Sequence, residues 1–432
     1  MSDFVSISRR RFLQSTAATA GTAALFSAIG ASFPGGAFAQ SAGPETTKAI
    51  LGFIALTDAA PLIVAKEKGY FAKHGMPDVE VVKQSSWGTT RDNLVLGSDG
   101  SGIDGAHILT PMPYLMTAGK VTQNNQPLPM AILARLNLDG QAISIGKAYA
   151  DQKVGLDSGV LKEVFAAKKA AGAPAKVAMT FPGGTHDLWI RYWLAAGGID
   201  PDTDVETIVV PPPQMVANMK VGTMDAFCVG EPWNAQLVDQ GIGYTALTTG
   251  ELWSKHPEKS FAMRADWVEK NPKATIALLM AVQEAAQWAD EMANKDELAD
   301  LLGKRAWFNV KPADIGPRMK GVIDYGNGKT VDASPHFMKF WRDDASYPFK
   351  SHDAWFLTED MRWGKFEATT DVKAMVDTVN REDIWREAAK ALGVSAIPAS
   401  TSRGKETFFD GKVFDPEDPA AYLASLAITR IA

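Results

Sequence analysis

The chain of 432 residues contains a single cysteine, Cys228. One thiol excludes an intramolecular disulfide, a cysteine-held iron–sulfur cluster and haem attachment through Cys-x-x-Cys-His. Flanked by Ala226-Phe227 and Val229, it reads as the middle of a buried strand, where a thiol behaves as a small hydrophobe. Basic charge is also scarce. The 44 Lys and Arg against 50 Asp and Glu leave a net charge of −6 with no basic block, which argues against nucleic acid. After residue 39 no apolar run approaches the length needed to span a bilayer. Catalytic and metal patterns are missing as well: there is no Gly-x-Ser-x-Gly, no His-Glu-x-x-His and no pair of Cys or His at zinc spacing. Asp200, Asp202 and Asp204 imitate the start of a calcium loop, but Val205 stands at its glycine position and Pro211 at its final glutamate position. That run reads as a solvated turn. His186 and Asp187 are neighbours in sequence, and neighbours on a helix do not face each other, so they make a poor dyad. Neither an enzyme nor a cofactor nor a metal is expected.

What is present begins with Ser8-Arg9-Arg10-Arg11-Phe12-Leu13, an alanine-rich apolar stretch, and Ala37-Phe38-Ala39 ahead of Gln40. Consecutive arginines, a mildly apolar core and an A-x-A cleavage site make residues 1–39 a twin-arginine export signal, which carries proteins across the membrane already folded. A buried helix is the alternative, but Gly21, Gly30, Pro34, Gly35 and Gly36 would break it repeatedly. With no cysteine at the cleavage site for a lipid, the mature chain from residue 40 is expected to be soluble and free in the periplasm. The apolar share of 46% and charged share of 22% over the whole 432 residues are those of a globular protein, and the length of the mature part suggests two domains, or two plus an extension.

Short apolar runs alternate with amphipathic segments. Ala49 to Ala55, Val79 to Val82, Ala106 to Leu109, Met130 to Leu136 and Ala142 to Ile145 read as strands, with helices between several of them. This alternation is the sequence form of an α/β fold. The first helix has Pro61 near its start and Gly69 near its end. A second series of strands and helices runs from about Val177 to Ala246. The clearest helix starts at Asn271-Pro272, with Asn271 as its cap and Ile276, Leu279, Val282, Ala286 and Ala289 on one face. From about residue 300 short helices rich in Trp, Asp and Lys form an extension expected to pack on the first domain.

Two loops have the chemistry of a binding site. Val177 to Trp189 reads as strand, glycine turn and helix, with Gly183-Gly184-Thr185-His186 at the turn. Glycines let the backbone approach a ligand, free N–H groups of a first helical turn favour an anion, and His186 would join them. The same spacing also fits a tight turn that Thr185 merely caps. Ser85-Ser86-Trp87-Gly88-Thr89-Thr90 follows a strand end, where loops of an open sheet face the ligand crevice. The alternative there is a polar loop with Trp87 covering the core.

The strings FPGGTHDLWIRYWLAAGGIDP (181–201), VGEPWN (229–234), HPEK (256–259) and MRADW (263–267) closely resemble the periplasmic nitrate/nitrite-binding proteins of ABC importers, whose relatives bind bicarbonate. PLIVAKEKGYFAKHG (61–75) is similar to the wider family that binds sulfonates, taurine and thiamine precursors. The resemblance implies a two-lobed, hinge-bending periplasmic binding protein of type II. One lobe would comprise 46–144 and 258–432, the second part carrying the helical C-terminal extension; the other would be 145–257. It implies a monomer that captures nitrate, and nitrite as well, and passes it to an inner-membrane ABC permease with its ATPase. By the same resemblance the anion is contacted by the Trp87 indole, the Gly88 amide, Gln141, His186 and Lys259, with Thr185 as a further contact. Trp and Lys only donate, Gln donates through its NH₂ and His from either nitrogen, which suits an acceptor-only anion. In the bicarbonate-binding relatives a glutamate takes the place of Lys259 and recruits calcium; a lysine supplies the cation itself and repels a metal. Read alone, Lys259 could equally be a solvated surface residue. Glu231 would repel an anion, so it is expected to orient a donor or to form a latch. Other readings are a bicarbonate- or sulfonate-binding component, or a cytoplasmic nitrate sensor, which would not carry an export signal. An enzyme making a thiamine pyrimidine would need a cysteine-rich motif.

Overall fold

The computed structural model describes residues 43–431. The expected export signal lies outside the described residues.

Each apolar run named above becomes a strand. β1 (Lys48–Phe53), β2 (Asp78–Lys83), β3 (Gly105–Leu109), β4 (Met130–Arg135) and β5 (Gln141–Gly146) are followed by β6 (Lys176–Met179), β7 (Glu206–Val209), β8 (Ala226–Gly230), β9 (Gly243–Thr248) and β10 (Lys259–Arg264). They make two five-stranded sheets, in the orders β2-β1-β3-β10-β4 and β7-β6-β8-β5-β9. In the first sheet β1 runs parallel to β2 and β3, while β10 is antiparallel to both its neighbours. In the second, β6 runs parallel to β7 and β8, and β5 is the reversed strand. β3, β4, β8 and β9 are buried at every residue, which explains why they read as continuous apolar runs rather than alternating ones. This is the expected α/β fold, and Cys228 lies buried in the middle of β8.

The helices used below are α1 (Ala60–Glu67), α2 (Trp87–Leu96), α3 (Thr185–Ala196), α4 (Pro272–Asp290), α5 (Pro312–Met319) and α6 (Lys350–Arg362). Pro61 sits in the first turn of α1, and Gly69 follows its end at φ 73°, as the asymmetry of these residues requires. α4 differs from expectation at its cap. The Asn271 side chain donates back to the Trp267 carbonyl at 2.9 Å and caps nothing; its backbone carbonyl accepts from Thr275. The aspartates at 200, 202 and 204 are tied by cations: Asp200 and Asp202 by Arg430, Asp202 also by Arg191, and Asp204 by Lys169. Among the described residues no helix is long and apolar enough to cross a membrane.

The extension after residue 300 packs more widely than its expected place on the first domain. Leu357 and Met361 of α6 join the core of the first sheet, whereas Ala354, Trp355 and Phe356 join that of the second, together with Phe408, Phe414 and Tyr422. An extension carrying apolar residues on more than one face of α6 has two cores to bury them in. α6 is also anchored electrostatically. Arg135 at the end of β4 is buried, donates to Ser260 Oγ at 2.6 Å and pairs with Asp353, whose other oxygen accepts from Asn380 at 2.6 Å.

Replacing one member of a buried pair strands the other. Arg135→Met is therefore expected to cost about 3–5 kcal/mol in urea unfolding, and the double change with Asp353→Leu to recover most of it. A loss below about 1 kcal/mol for the single change would contradict the anchoring role.

Candidate functional site

The strand directions bring one set of polar side chains to the edge where the two sheets face each other. β1 ends at Phe53 and delivers Asp58 a few residues later; β3 carries His107; reversed β10 begins at Lys259 opposite Leu109. From the second sheet, reversed β5 begins at Gln141 opposite Gly230, and β6 leads through Thr180 into α3, whose first residues are Thr185 and His186. Apart from His107, which sits mid-strand in β3, these lie beyond the carboxyl ends of parallel strands or at the amino end of the reversed one, the position where open sheets bind ligands. Two glycines make the approach possible. Gly183 takes φ 74°, and a Cβ on Gly230 would lie 2.5 Å from Gln141 Oε1.

Lys259 is fully buried, which rules out the solvated surface lysine. Its Nζ lies 2.8 Å from Glu258 Oε1 and 3.1 Å from Asp58 Oδ2. These carboxylates, against burial, hold the ammonium pKa above its ordinary value. Asp58 is also gripped by His107 Nε2 at 2.5 Å and Gln141 Nε2 at 2.9 Å. His107 Nδ1 accepts the Ile54 amide at 3.4 Å, so the proton belongs on Nε2, facing Asp58. Although burial alone would raise it, Lys259 and His107 hold the Asp58 carboxyl well below the usual range. Glu258 accepts from the Thr185 hydroxyl, from Trp189 Nε1 at 2.6 Å and from Lys259. His186 Nε2 sits 2.9 Å from Gln141 Oε1, and its Nδ1 sits 2.6 Å from the Thr180 hydroxyl. The consistent pattern is Nε2–H donating to Gln141 and Thr180 donating to Nδ1.

The two loops also resolve. Trp87 and Gly88 open α2, capped by Ser86 Oγ accepting the Thr89 amide at 3.1 Å. The Trp87 indole is buried and packs 5.3 Å from the His107 ring, with Lys259 Nζ 6.0 Å from its own ring centre. Its Nε1–H has no hydrogen-bond partner among the described residues. The Gly88 N–H lies in the first turn of α2, where the helix offers no carbonyl to receive it. Gly184, not Thr185, stands at the cap position of α3, and the Thr185 hydroxyl is spent on Glu258. Asp187 turns away from His186 to the Gly183 amide at 2.8 Å and to Arg191. Glu231 faces Arg318 of α5 at 2.7 Å, a contact between the second sheet and the extension, and is kept off the cluster. Beside the cluster and sharing Gln141 is a small solvent-connected cleft, lined also by Thr57, Glu231 and Arg318.

Trp87, Gln141, Thr185, His186 and Lys259 thus converge in one place, with Gly88 on the same turn as Trp87. Sequence reasoning missed Asp58, His107, Thr180 and Trp189, and passed over Glu258 although it adjoins Lys259 in HPEK. Once the internal bonds are made, the spare groups include donors: the Trp87 indole, the Gly88 amide and a second amide proton on Gln141, while the third side of the Lys259 ammonium faces His186 Nε2 at 3.3 Å. Every oxygen of Asp58 and Glu258 already accepts. Among the described residues no group of three His, Cys, Asp or Glu is placed to hold a metal ion.

Two α/β sheets meeting at a buried polar cluster around one ammonium define a binding protein of the periplasmic type. The chain belongs to the NMT1-like family, whose model matches residues 42–303. It is 65% identical over 391 residues to the nitrate/nitrite binding protein NrtA of Synechocystis sp., covering 90% of this chain and 86% of that one. The crystal structure of the periplasmic nitrate-binding protein NrtA from Synechocystis superposes with a TM-score of 0.87, over 89% of this chain and 100% of that one, at 65% identity. The bicarbonate-binding protein CmpA of Synechococcus elongatus is 44% identical over 453 residues, covering the full length of both.

Burial holds the imidazoles of His107 and His256 below their ordinary value and that of His186 well below it. A histidine whose folded pKa is depressed binds fewer protons folded than unfolded, so stability is full above the unfolded value and falls as pH drops below about 6.5. Thermal unfolding between about pH 7.5 and about pH 5.5 is expected to show this fall, made shallower in His186→Gln by up to about 1.4 kcal/mol per pH unit. An unchanged slope in that variant would mean that His186 is already protonated in the fold.

Proposed function

We propose that this chain is an extracytoplasmic solute-binding protein that captures nitrate, and nitrite through the same contacts, and delivers it to an ABC importer. One observation carries the reading: the polar atom of the buried cluster left without a partner among the described residues is a donor, the Trp87 indole N–H, and it lies beside one buried ammonium. Nitrate is planar, singly charged and acceptor-only, so it complements such a cluster without leaving an acceptor unpaired. The Trp87 indole, the Gly88 amide, Gln141 and Lys259 are the contacting set; His186, whose two ring nitrogens are engaged by Gln141 and Thr180, acts through Gln141, and Thr185 through Glu258. Bicarbonate is the second reading, favoured by the 44% identity to CmpA. Its O–H needs an acceptor, however, and every oxygen of Asp58 and Glu258 already accepts from the protein, so bicarbonate would compete with those internal bonds.

The ligand is held between two lobes, one built on the first sheet with the extension and one on the second; the expected boundary at 144/145 would cut β5 (Gln141–Gly146), so the first crossing is placed ahead of that strand. The hinge lies where the chain passes from β4 to β5 and returns from β9 to β10, and closure buries the anion. Residues 1–39 direct twin-arginine export, the mature protein works in the periplasm as a monomer, and it performs no chemistry on the ligand. A cytoplasmic sensor role conflicts with that export signal.

Trp87→Phe removes one N–H and keeps the ring. It is expected to weaken nitrate binding by about 1.5–3 kcal/mol in calorimetric titration while leaving the unfolding temperature unchanged or raised, because the lost donor serves no protein acceptor. Unchanged affinity would take Trp87 out of the site. Lys259→Glu is expected to abolish nitrate binding or to transfer preference to bicarbonate with calcium. Retained nitrate affinity would refute the cation role of Lys259.

A further inference from the structure

Lys259 alone would make a poor selector. Attraction to an ammonium grows with the charge of the anion, so a bare buried lysine prefers a dianion such as sulfate over nitrate. We propose that Asp58, held in place by His107, is a specificity-determining residue that restricts this site to singly charged anions; the proposal rests on the anion-binding reading above.

Asp58 shares with the ligand the donors the ligand would use. Its Oδ2 already accepts from Gln141 Nε2 at 2.9 Å and from Lys259 Nζ at 3.1 Å. Two acceptors on one ammonium lie about 4–5 Å apart, so an anion bound there meets the carboxylate at close range. The carboxylate has no freedom to retreat. His107 holds Oδ1 at 2.5 Å, and the His107 ring is pinned by the Ile54 amide and by the face of Trp87. Donors from β3, β5 and β10 thus grip one side chain from three directions, and none of these groups reaches solvent.

Charge counting gives the consequence. Asp58 and Glu258 are two negative charges against the one positive charge of Lys259, while burial keeps His107, His186 and His256 neutral. Inside the protein, salt does not screen this balance as it would at the surface. A single ligand charge is offset by the Lys259 ammonium and the spare donors of Trp87, Gly88 and Gln141. A second charge doubles the repulsion from Asp58 and finds no further donor. Glu258 lies on the same ammonium at 2.8 Å and adds to the balance, but its other donors are Thr185 and Trp189, whereas Asp58 is the carboxylate that shares both Lys259 and Gln141 with the ligand.

The test is calorimetric titration of residues 40–432 with nitrate, in competition with chlorate, which is singly charged, and with sulfate, which is doubly charged. The unmodified chain is expected to bind nitrate and to release it to chlorate but not to sulfate. In Asp58→Asn the affinity for sulfate relative to nitrate is expected to rise by about tenfold or more, while Asp58→Glu, which keeps the charge, still excludes sulfate. A sulfate-to-nitrate ratio unchanged in Asp58→Asn, or equally changed in Asp58→Glu, overturns the role of Asp58. Should Asp58→Asn fail to fold, the unmodified chain decides: displacement of nitrate by sulfate as readily as by chlorate overturns the proposal. No nitrate binding by the unmodified chain would overturn the nitrate reading itself, and this inference with it.

Discussion

A lysine ammonium completely removed from water is the constraint around which this molecule is arranged. An unpaired buried charge is costly enough that the group would shed its proton, so Lys259 persists as a cation only because Asp58 and Glu258 flank it. Those carboxylates then need donors of their own. They find them on both sheets: His107 from the first, and Gln141, Thr185 and Trp189 from the second. Compensating one positive charge therefore draws the two sheets together at one point and dictates the residue types around it.

The topology makes that convergence available. In each sheet a single reversed strand is inserted among parallel ones, so its first residue, Lys259 or Gln141, lies level with the ends of its neighbours. Gly230 leaves the space in which Gln141 and Asp58 meet. Behind Glu258, Trp189 is stacked on Trp355 of α6 with ring centres 5.0 Å apart, and Trp355 packs against Trp253 and Phe408. The extension thus supports the rear wall of the site through aromatic packing, while Arg135 and Asp353 fix α6 to the first sheet.

How much of this the residues announce in advance follows from how local each signal is. The strands were legible because uninterrupted apolar runs such as Met130 to Leu136 have few other uses, and the glycine turn before His186 was legible because its pattern lies within a dozen residues. Asp58 and His107 were not. An aspartate after a strand looks like a turn residue, and a histidine within an apolar run looks like core; their meaning comes from a pairing across 49 positions, and that of Asp58 with Gln141 from one across 83. Glu258 was in view beside Lys259, but the role expected of a carboxylate near an anion was repulsion, and only the fold shows it held by donors. The Asn271 cap failed because its side chain found the Trp267 carbonyl, an acceptor that the local pattern does not reveal.

The central claim is that a buried cluster presenting spare donors around one compensated ammonium is a receptor for nitrate. It is tested most directly by calorimetric titration of residues 40–432, unfolded and refolded to strip any carried ligand, with nitrate and, in parallel, with bicarbonate plus calcium. Saturable one-to-one binding of nitrate with none of bicarbonate is the predicted result. Binding of bicarbonate alone, or of neither, would contradict the account.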